Sequence, residues 1–292
     1  MNKVAVVGAG SMGRQIALHC ALKGLDASIY DVSGTVLSAA REFSGDYLDS
    51  RVAKNRITPE LRDDTAGRLK FADSLESCVD GASVVIEAII EDFAPKATLF
   101  EVLGHLCPRS TILASNSSNI VGSRLAAVTE FPERVVNLHF FNPVLVMDLV
   151  EVVLHPAVTP EVERKALAFC KEIDRTSIVV RKEVPGFVVN RIFRALTREA
   201  MNLLEGGFAS AEDIDLAVTR GLGHPMGPFY LMDVAGVDVT YLARLDEYRE
   251  TGNEAAKPNE ILERLYHEGR WGKKVGKGFY DYPENFEKRE GR

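Results

Sequence analysis

His139 and Glu151 are the side chains of this 292-residue chain best placed by type and spacing for proton chemistry. An imidazole takes and returns a proton near neutral pH, and a carboxylate beside it fixes the tautomer and raises the basicity of the far nitrogen. Six histidines occur (His19, His105, His139, His155, His224 and His267). His139 stands apart because it lies in Asn137-Leu138-His139-Phe140-Phe141-Asn142-Pro143, at the end of the strand-like run Val135–Phe141. Open α/β sheets place their sites beyond the carboxyl ends of such strands. Glu151 lies in another strand-like run, Asp148–Leu154, and a turn near Asn142–Pro143 would bring carboxylate to imidazole. Such a pair suits removal of a proton from an alcohol as hydride leaves the carbon.

A second constellation is Gly8-Ala9-Gly10-Ser11-Met12-Gly13, directly after the apolar run Val4–Val7 and directly before a helical pattern from Arg14 to Leu22. In that strand–turn–helix setting Gly8 permits the tight turn, Gly10 lets backbone approach a pyrophosphate, and Gly13 lets helix pack on strand. The first N–H groups of the helix then face the phosphate charge. Asp31 ends the next strand-like run, where its carboxylate can accept hydrogen bonds from both ribose hydroxyls and repel a 2′-phosphate. Val32 and Ser33 follow it rather than Arg or Lys, so NAD is expected over NADP. FAD shares the glycine fingerprint, and a bare glycine turn with a capping aspartate would look similar.

The elements that must carry these residues can be read from periodicity. Val4–Val7, Ala27–Tyr30, Ser83–Ala88, Thr111–Ala114 and Val135–Phe141 are rich in Val and Ile, and several are apolar throughout. Strands buried on both faces have this character, which predicts an α/β fold: a Rossmann-type, doubly wound, mostly parallel sheet. Residues of about 33–66 have helical spacing interrupted near Thr58–Pro59, longer than a minimal crossover, and predict a projecting helical hairpin before the run Arg68–Phe71. From Phe187 to Glu205, apolar residues recur at helical spacing until Gly206–Gly207, and Ser210 with Asp213 reads as the cap of another helix. Further helical stretches cover Phe229–Tyr248 and Glu260–Glu268, and a terminal strand is expected at Gly278–Tyr282. The division is therefore a nucleotide-binding domain over 1–183 and an all-α C-terminal domain over 184–292, with Met147, Met226 and Met232 as packing residues.

Composition agrees with a soluble enzyme. Hydrophobic residues make up 46% and charged residues 26%, ordinary globular usage. No apolar run approaches the ~20 residues of a membrane span, and MNKVAVVGAG does not read as a signal peptide. The net charge of −7 speaks against a nucleic-acid partner. Four scattered cysteines without a CxxC pair argue against a zinc or disulfide framework and fit a reducing, cytoplasmic setting; no metal is expected.

The segments VAVVGAGSMG, EAIIED…K, ASNSSNI, NLHFFNPVLVMDLVEVV, VPGFVVNRI, HPMGPFYLMD and GKKVGKGFYDY, in this order from Lys3 to Tyr282, resemble the L-3-hydroxyacyl-CoA dehydrogenases, bacterial 3-hydroxybutyryl-CoA dehydrogenases among them. The resemblance implies His139 as base with Glu151 orienting it, Ser118 near the thioester carbonyl, the 3-hydroxyl and the nicotinamide, and Asn190 holding the substrate oxygen. Glu91, Lys96 and Asn142 resemble cofactor contacts, as does Lys274 from the helical domain. Lys54 on the hairpin would meet CoA, and the helical domain would form a homodimer. ASNSSNI departs from the more usual ASNTSSL at Ser117 and Asn119, and Asp148 stands where many relatives carry Lys. The function implied is NAD-dependent interconversion of L-3-hydroxyacyl-CoA and 3-ketoacyl-CoA, as in fatty-acid β-oxidation or butanoate metabolism. The alternatives are a polyol or sugar-acid dehydrogenase of the lambda-crystallin and gulonate dehydrogenase type, or a non-catalytic NAD-binding relative.

Overall fold

A computed structural model of the chain describes residues 3–283; the outermost residues of the two expected domains, 1–2 and 284–292, lie outside it. The described chain falls into two compact units that meet at Val188–Val189.

The first unit runs β1 (Lys3–Val7), α1 (Ser11–Leu22), β2 (Asp26–Tyr30), α2 (Gly34–Ala53), α3 (Pro59–Arg68), β3 (Leu69–Phe71), α4 (Leu75–Val79) and β4 (Val84–Glu87). It continues with α5 (Phe93–Leu106), β5 (Ile112–Ser115), α6 (Gly122–Ala126), β6 (Val135–Phe140), β7 (Leu149–Val153), α7 (Pro160–Glu172) and β8 (Thr176–Val180). The strands form one eight-stranded sheet ordered β3-β2-β1-β4-β5-β6-β7-β8. All neighbours are parallel except β6 and β7.

Alternation along β1 shows why these runs must be central strands. Val4 and Val6 join one core cluster, with Ile16, Leu18 and Phe169, while Ala5 and Val7 join another, with Phe100 and Leu113. Both faces are therefore covered by helices, as a buried parallel sheet requires. The expected hairpin is α2 and α3, and Arg62 of α3 bonds Asp49 of α2 at 2.9 Å. All four cysteines are free and buried. Burial pushes the thiols of Cys20, Cys78 and Cys170 up to about 12 and that of Cys107 to about 11, so they stay protonated.

The second unit is helical: α8 (Val189–Glu205), α9 (Ala211–Gly221), α10 (Pro228–Ala235), α11 (Val237–Thr251) and α12 (Glu260–His267). Ser210 caps α9 by accepting the Asp213 N–H at 3.1 Å. The stretch expected as one helix over 229–248 breaks at Gly236, whose φ of 106° an L residue rarely adopts. The expected strand Gly278–Tyr282 does not form; isolated bridges link Gly272 to Lys277 and Lys277 to Asp281 instead. The cause is Asp233, which is buried and accepts the N–H groups of Phe279 and Tyr280 at 2.8 and 3.0 Å, folding them around its carboxylate rather than along a ladder. Met232 is buried in the core, whereas Met147 is 43% exposed on the β6–β7 connection and is not a core residue. No helix among the described residues is long and apolar enough to cross a membrane.

Candidate active site

The antiparallel register of β6 and β7 sets His139 directly opposite Glu151. Imidazole Nδ1 lies 2.7 Å from Glu151 Oε2, and both residues are buried. An ionised carboxylate can only accept, so the neutral ring carries its proton on Nδ1 and its lone pair on Nε2. That Nε2 is 3.0 Å from Ser118 Oγ, whose hydroxyl donates to it. The second oxygen of Glu151, Oε1, accepts the Val188 N–H at 2.9 Å.

The turn Pro185–Val188 closes around this pair. Gly186 donates its N–H to the Ser118 carbonyl at 3.0 Å. Phe187 is fully buried with a φ of 45°, a left-handed conformation that costs a bulky residue energy. Its ring meets the imidazole edge-on at 5.4 Å between centroids, and Phe141 does so at 4.6 Å. The sequence segment VPGFVVNRI pointed to Asn190 and gave no sign of Phe187 or of the Val188 N–H.

Ser118 itself is held by a carboxylate. Glu91 Oε1 accepts the Ser117 hydroxyl at 2.5 Å and the N–H groups of Ser118 and Asn119 at 3.0 Å each. Partial burial favours the neutral acid, yet the Ser117 hydroxyl and the Lys96 ammonium outweigh it and hold the Glu91 carboxyl below its usual range. Lys96 is 1% exposed, with Nζ 2.5 Å from Glu87 Oε1 and 3.4 Å from Glu91 Oε2. Glu87, fully buried at the end of β4, also accepts the Ser115 hydroxyl at 2.6 Å and the Ile89 N–H at 2.8 Å. Glu87 was not singled out from the sequence; a lone carboxylate closing the apolar run Val84–Glu87 was the available signal.

The glycine turn has the stereochemistry a dinucleotide needs. Gly8 has a φ of 103°, and a methyl there would stand 2.5 Å from the Ala88 carbonyl oxygen. A methyl on Gly13 would stand 1.8 Å from the Gly8 oxygen, whereas one on Gly10 would meet nothing within 4 Å. Gly10 leaves the start of α1 without a side-chain cap, so backbone N–H groups there are open to an anion. Asp31 accepts the Ala9 N–H at 2.7 Å and the Ser33 N–H at 2.9 Å, which anchors it at the mouth of the turn. A cavity of about 250 Å3 joins this turn to Ser118, lined by Met12, Ala88, Ile89, Glu91, Lys96 and Asn116–Asn119. These residues, with Gly8, Gly10, Gly13 and Asp31, fit NAD.

The remaining expected residues are spread more widely. Asn142 Oδ1 lies 3.5 Å from Gln15 Nε2, which ties the β6–β7 connection to α1. Lys54 is exposed at the C-terminal end of α2. Asn190 and Lys274 belong to the second unit: Asn190 is in the first turn of α8, and Lys274 pairs with Asp238 at 2.6 Å.

Comparison with known proteins points the same way for both units. Residues 3–184 match the model of the 3-hydroxyacyl-CoA dehydrogenase NAD binding domain, and residues 186–282 match that of the C-terminal domain. The chain is 35% identical over 284 residues to a probable 3-hydroxybutyryl-CoA dehydrogenase of Bacillus subtilis, covering 97% of this chain and 98% of that one. Among solved structures it is similar to FadB2 of M. tuberculosis, with a TM-score of 0.89 and 34% identity over 97% of this chain and 99% of the other. It is similar also to a diketoreductase, with a TM-score of 0.87 and 29% identity over 97% and 99% of the two chains. A turn built for NAD, a sheet of matching topology and two consecutive domain matches over nearly the whole length place this chain in the family of NAD-dependent 3-hydroxyacyl-CoA dehydrogenases.

Proposed function

We propose that the protein interconverts L-3-hydroxyacyl-CoA and 3-ketoacyl-CoA esters, with short, 3-hydroxybutyryl-type chains favoured. One observation carries this reading: Ser118 both lines the cavity that opens from the glycine turn and bonds the His139–Glu151 pair. A proton acceptor therefore stands one hydroxyl away from the space for the cofactor.

Bound NAD supplies the acceptor for the hydride that leaves C3. The chain's own residues handle the proton. The substrate 3-hydroxyl sits beside Ser118 Oγ and gives its proton to His139 Nε2, while the C–O bond becomes a carbonyl. Glu151 stays ionised and stabilises the imidazolium that forms. Glu91 keeps Ser118 in register through the backbone of residues 117–119. Gly8 through Gly13, Asp31, Glu91, Lys96 and Asn142 are assigned to cofactor binding. The assignments of Asn190 to the substrate oxygen, Lys274 to the cofactor and Lys54 to CoA rest on the resemblance alone. Buried, protonated cysteines suit a cytoplasmic, reducing location, and a homodimer through the helical unit completes the reading.

The test is NADH oxidation with 3-ketoacyl-CoA substrates of increasing chain length, run beside His139→Gln. Turnover of acetoacetyl-CoA is expected, and the variant should lose on the order of 100-fold or more in kcat while still binding NADH. Near-parental activity of the variant overturns the assignment of the base. The likeness to a diketoreductase supports a second reading, in which a dicarbonyl compound without CoA is the substrate. Turnover of a free 3-keto ester that acetoacetyl-CoA fails to inhibit would select that reading.

A further inference from the structure

The helical unit holds a concentration of positive charge that the proposed reaction does not use. Arg194 and Arg198 lie one turn apart on α8, and Arg244 of α11 shares a cavity wall with both. Arg194 is paired with Glu247 at 2.9 Å. Arg244 is in a different position: it is 6% exposed, and its guanidinium bonds the Thr197 hydroxyl oxygen at 3.4 Å. No carboxylate lies within ion-pair distance of it among the described residues. Burial and the like charges of Arg198 and Arg194 outweigh the more distant carboxylates of Glu247 and Glu205 and hold this guanidinium below the usual arginine range. A desolvated cation with a single long hydrogen bond is unfavourable unless something anionic completes it.

The space for such a group is present. Arg198 and Arg244 line a cavity of about 440 Å3 together with Asn202, Lys257 and Asn259. Glu254 is the one carboxylate in this lining, and it is engaged by the Tyr248 hydroxyl at 2.9 Å. Asn259 caps α12 through Oδ1, which accepts the Leu262 N–H at 3.0 Å. That bond fixes the amide, and its Nδ2 is buried without a hydrogen-bond partner.

We propose that this cavity is a binding site for a phosphate-bearing small molecule, gripped by Arg198, Arg244 and the amide of Asn259. Two guanidinium forks and an amide N–H offer donors from several directions, which suits a tetrahedral dianion better than a planar carboxylate. Lys257 adds charge at the rim, so the lining carries a net positive charge despite Glu254. A free phosphate and the phosphate of a nucleotide share this chemistry.

Isothermal titration of the full-length protein separates them. It is run in phosphate-free buffer at constant ionic strength, with NADH present, using inorganic phosphate, pyrophosphate, AMP and, as a planar control, succinate. At least one phosphate probe should bind saturably and succinate should not. Equal binding of phosphate and AMP assigns the site to the free anion, and tighter AMP binding to a nucleotide. Arg198→Gln, an exposed position, should weaken binding by about tenfold or more, which is ~1.4 kcal/mol, with its melting temperature unchanged in the absence of ligand. Arg244→Gln should abolish binding, its melting curve reporting whether it folds. The proposal falls if no phosphate probe binds, or if Arg198→Gln binds as the parent does. It also falls if the parent binds none and Arg198→Gln alters sedimentation, since a carboxylate of a second copy then occupies the cavity.

Discussion

Lys96 shows how a side chain expected at the cofactor can be tied into the protein first. Its ammonium lies against Glu87 and Glu91, and Glu87 has no access to water. Lys96→Met strands a buried carboxylate, at a cost of about 3–5 kcal/mol. Adding Glu87→Gln removes the stranded charge and should recover most of that stability in a urea titration. If Lys96 also touches NAD, NADH affinity stays weak in the stabilised double variant; recovery of both would limit Lys96 to holding Glu91 and the Ser118 turn. His139 and Glu151 were legible in the sequence because two strand-like runs flanked one turn. Val188 was not, because its contribution is a backbone N–H and any residue type supplies one. Glu87 was hidden for a related reason, since a terminal carboxylate on an apolar strand reads as the strand's end.

Helices and strands add constraints that single residues do not reveal. The β1–α1 junction depends on Gly13, where a methyl would overlap the Gly8 oxygen. Overpacking of this kind costs about 1–3 kcal/mol, and opening the turn should weaken NADH binding by about tenfold or more; fluorescence titration of Gly13→Ala checks this. Helix α1 is also pinned near the end of α7, where His19 Nε2 donates to the Ile173 carbonyl at 2.7 Å and Nδ1 accepts from Arg175 at 3.0 Å. Burial, with Arg175 next, lowers the His19 pKa to about 4. The folded protein therefore binds this proton less readily than the unfolded chain. The stability tied to neutral His19 is complete above about pH 6.5 and is lost as pH falls toward 4, by roughly 3 kcal/mol in all. Denaturation at pH 7.5 and pH 5 should show the loss, and His19→Asn should reduce it. The buried strands β1, β2 and β4 to β7 could be read from their apolar runs, and the three-residue edge strand β3 only from the short run Arg68–Phe71. Strand β8 could not, because it is an edge strand whose residues Thr176–Val179 stay partly exposed. The failed strand at Gly278–Tyr282 has a different origin: Asp233, more than forty residues earlier, captures its N–H groups.

Association belongs to the assembled chain. The helical unit leaves Ile192, Leu216, Leu222, Val239 and Leu242 between 43% and 66% exposed, apolar surface available to the homodimer that the resemblance implies. For the proposed homodimer, sedimentation should give about twice 32.1 kDa, and Ile192→Glu combined with Leu242→Glu should raise the monomer fraction. A parent that sediments at the mass of one chain at every concentration rejects the dimer.

The bond from the Val188 N–H to Glu151 has a practical consequence for exchanging modules between relatives. Val188 is the last residue of the first unit, and its amide completes the carboxylate that orients His139. A splice made at the family-model boundary, after residue 184, would import Phe187 and Val188 from the donor along with the helices. The sensible joint lies after Val188, so that the first unit inherits its own turn and a chimera tests the incoming helices without also rebuilding the surroundings of the His139–Glu151 pair.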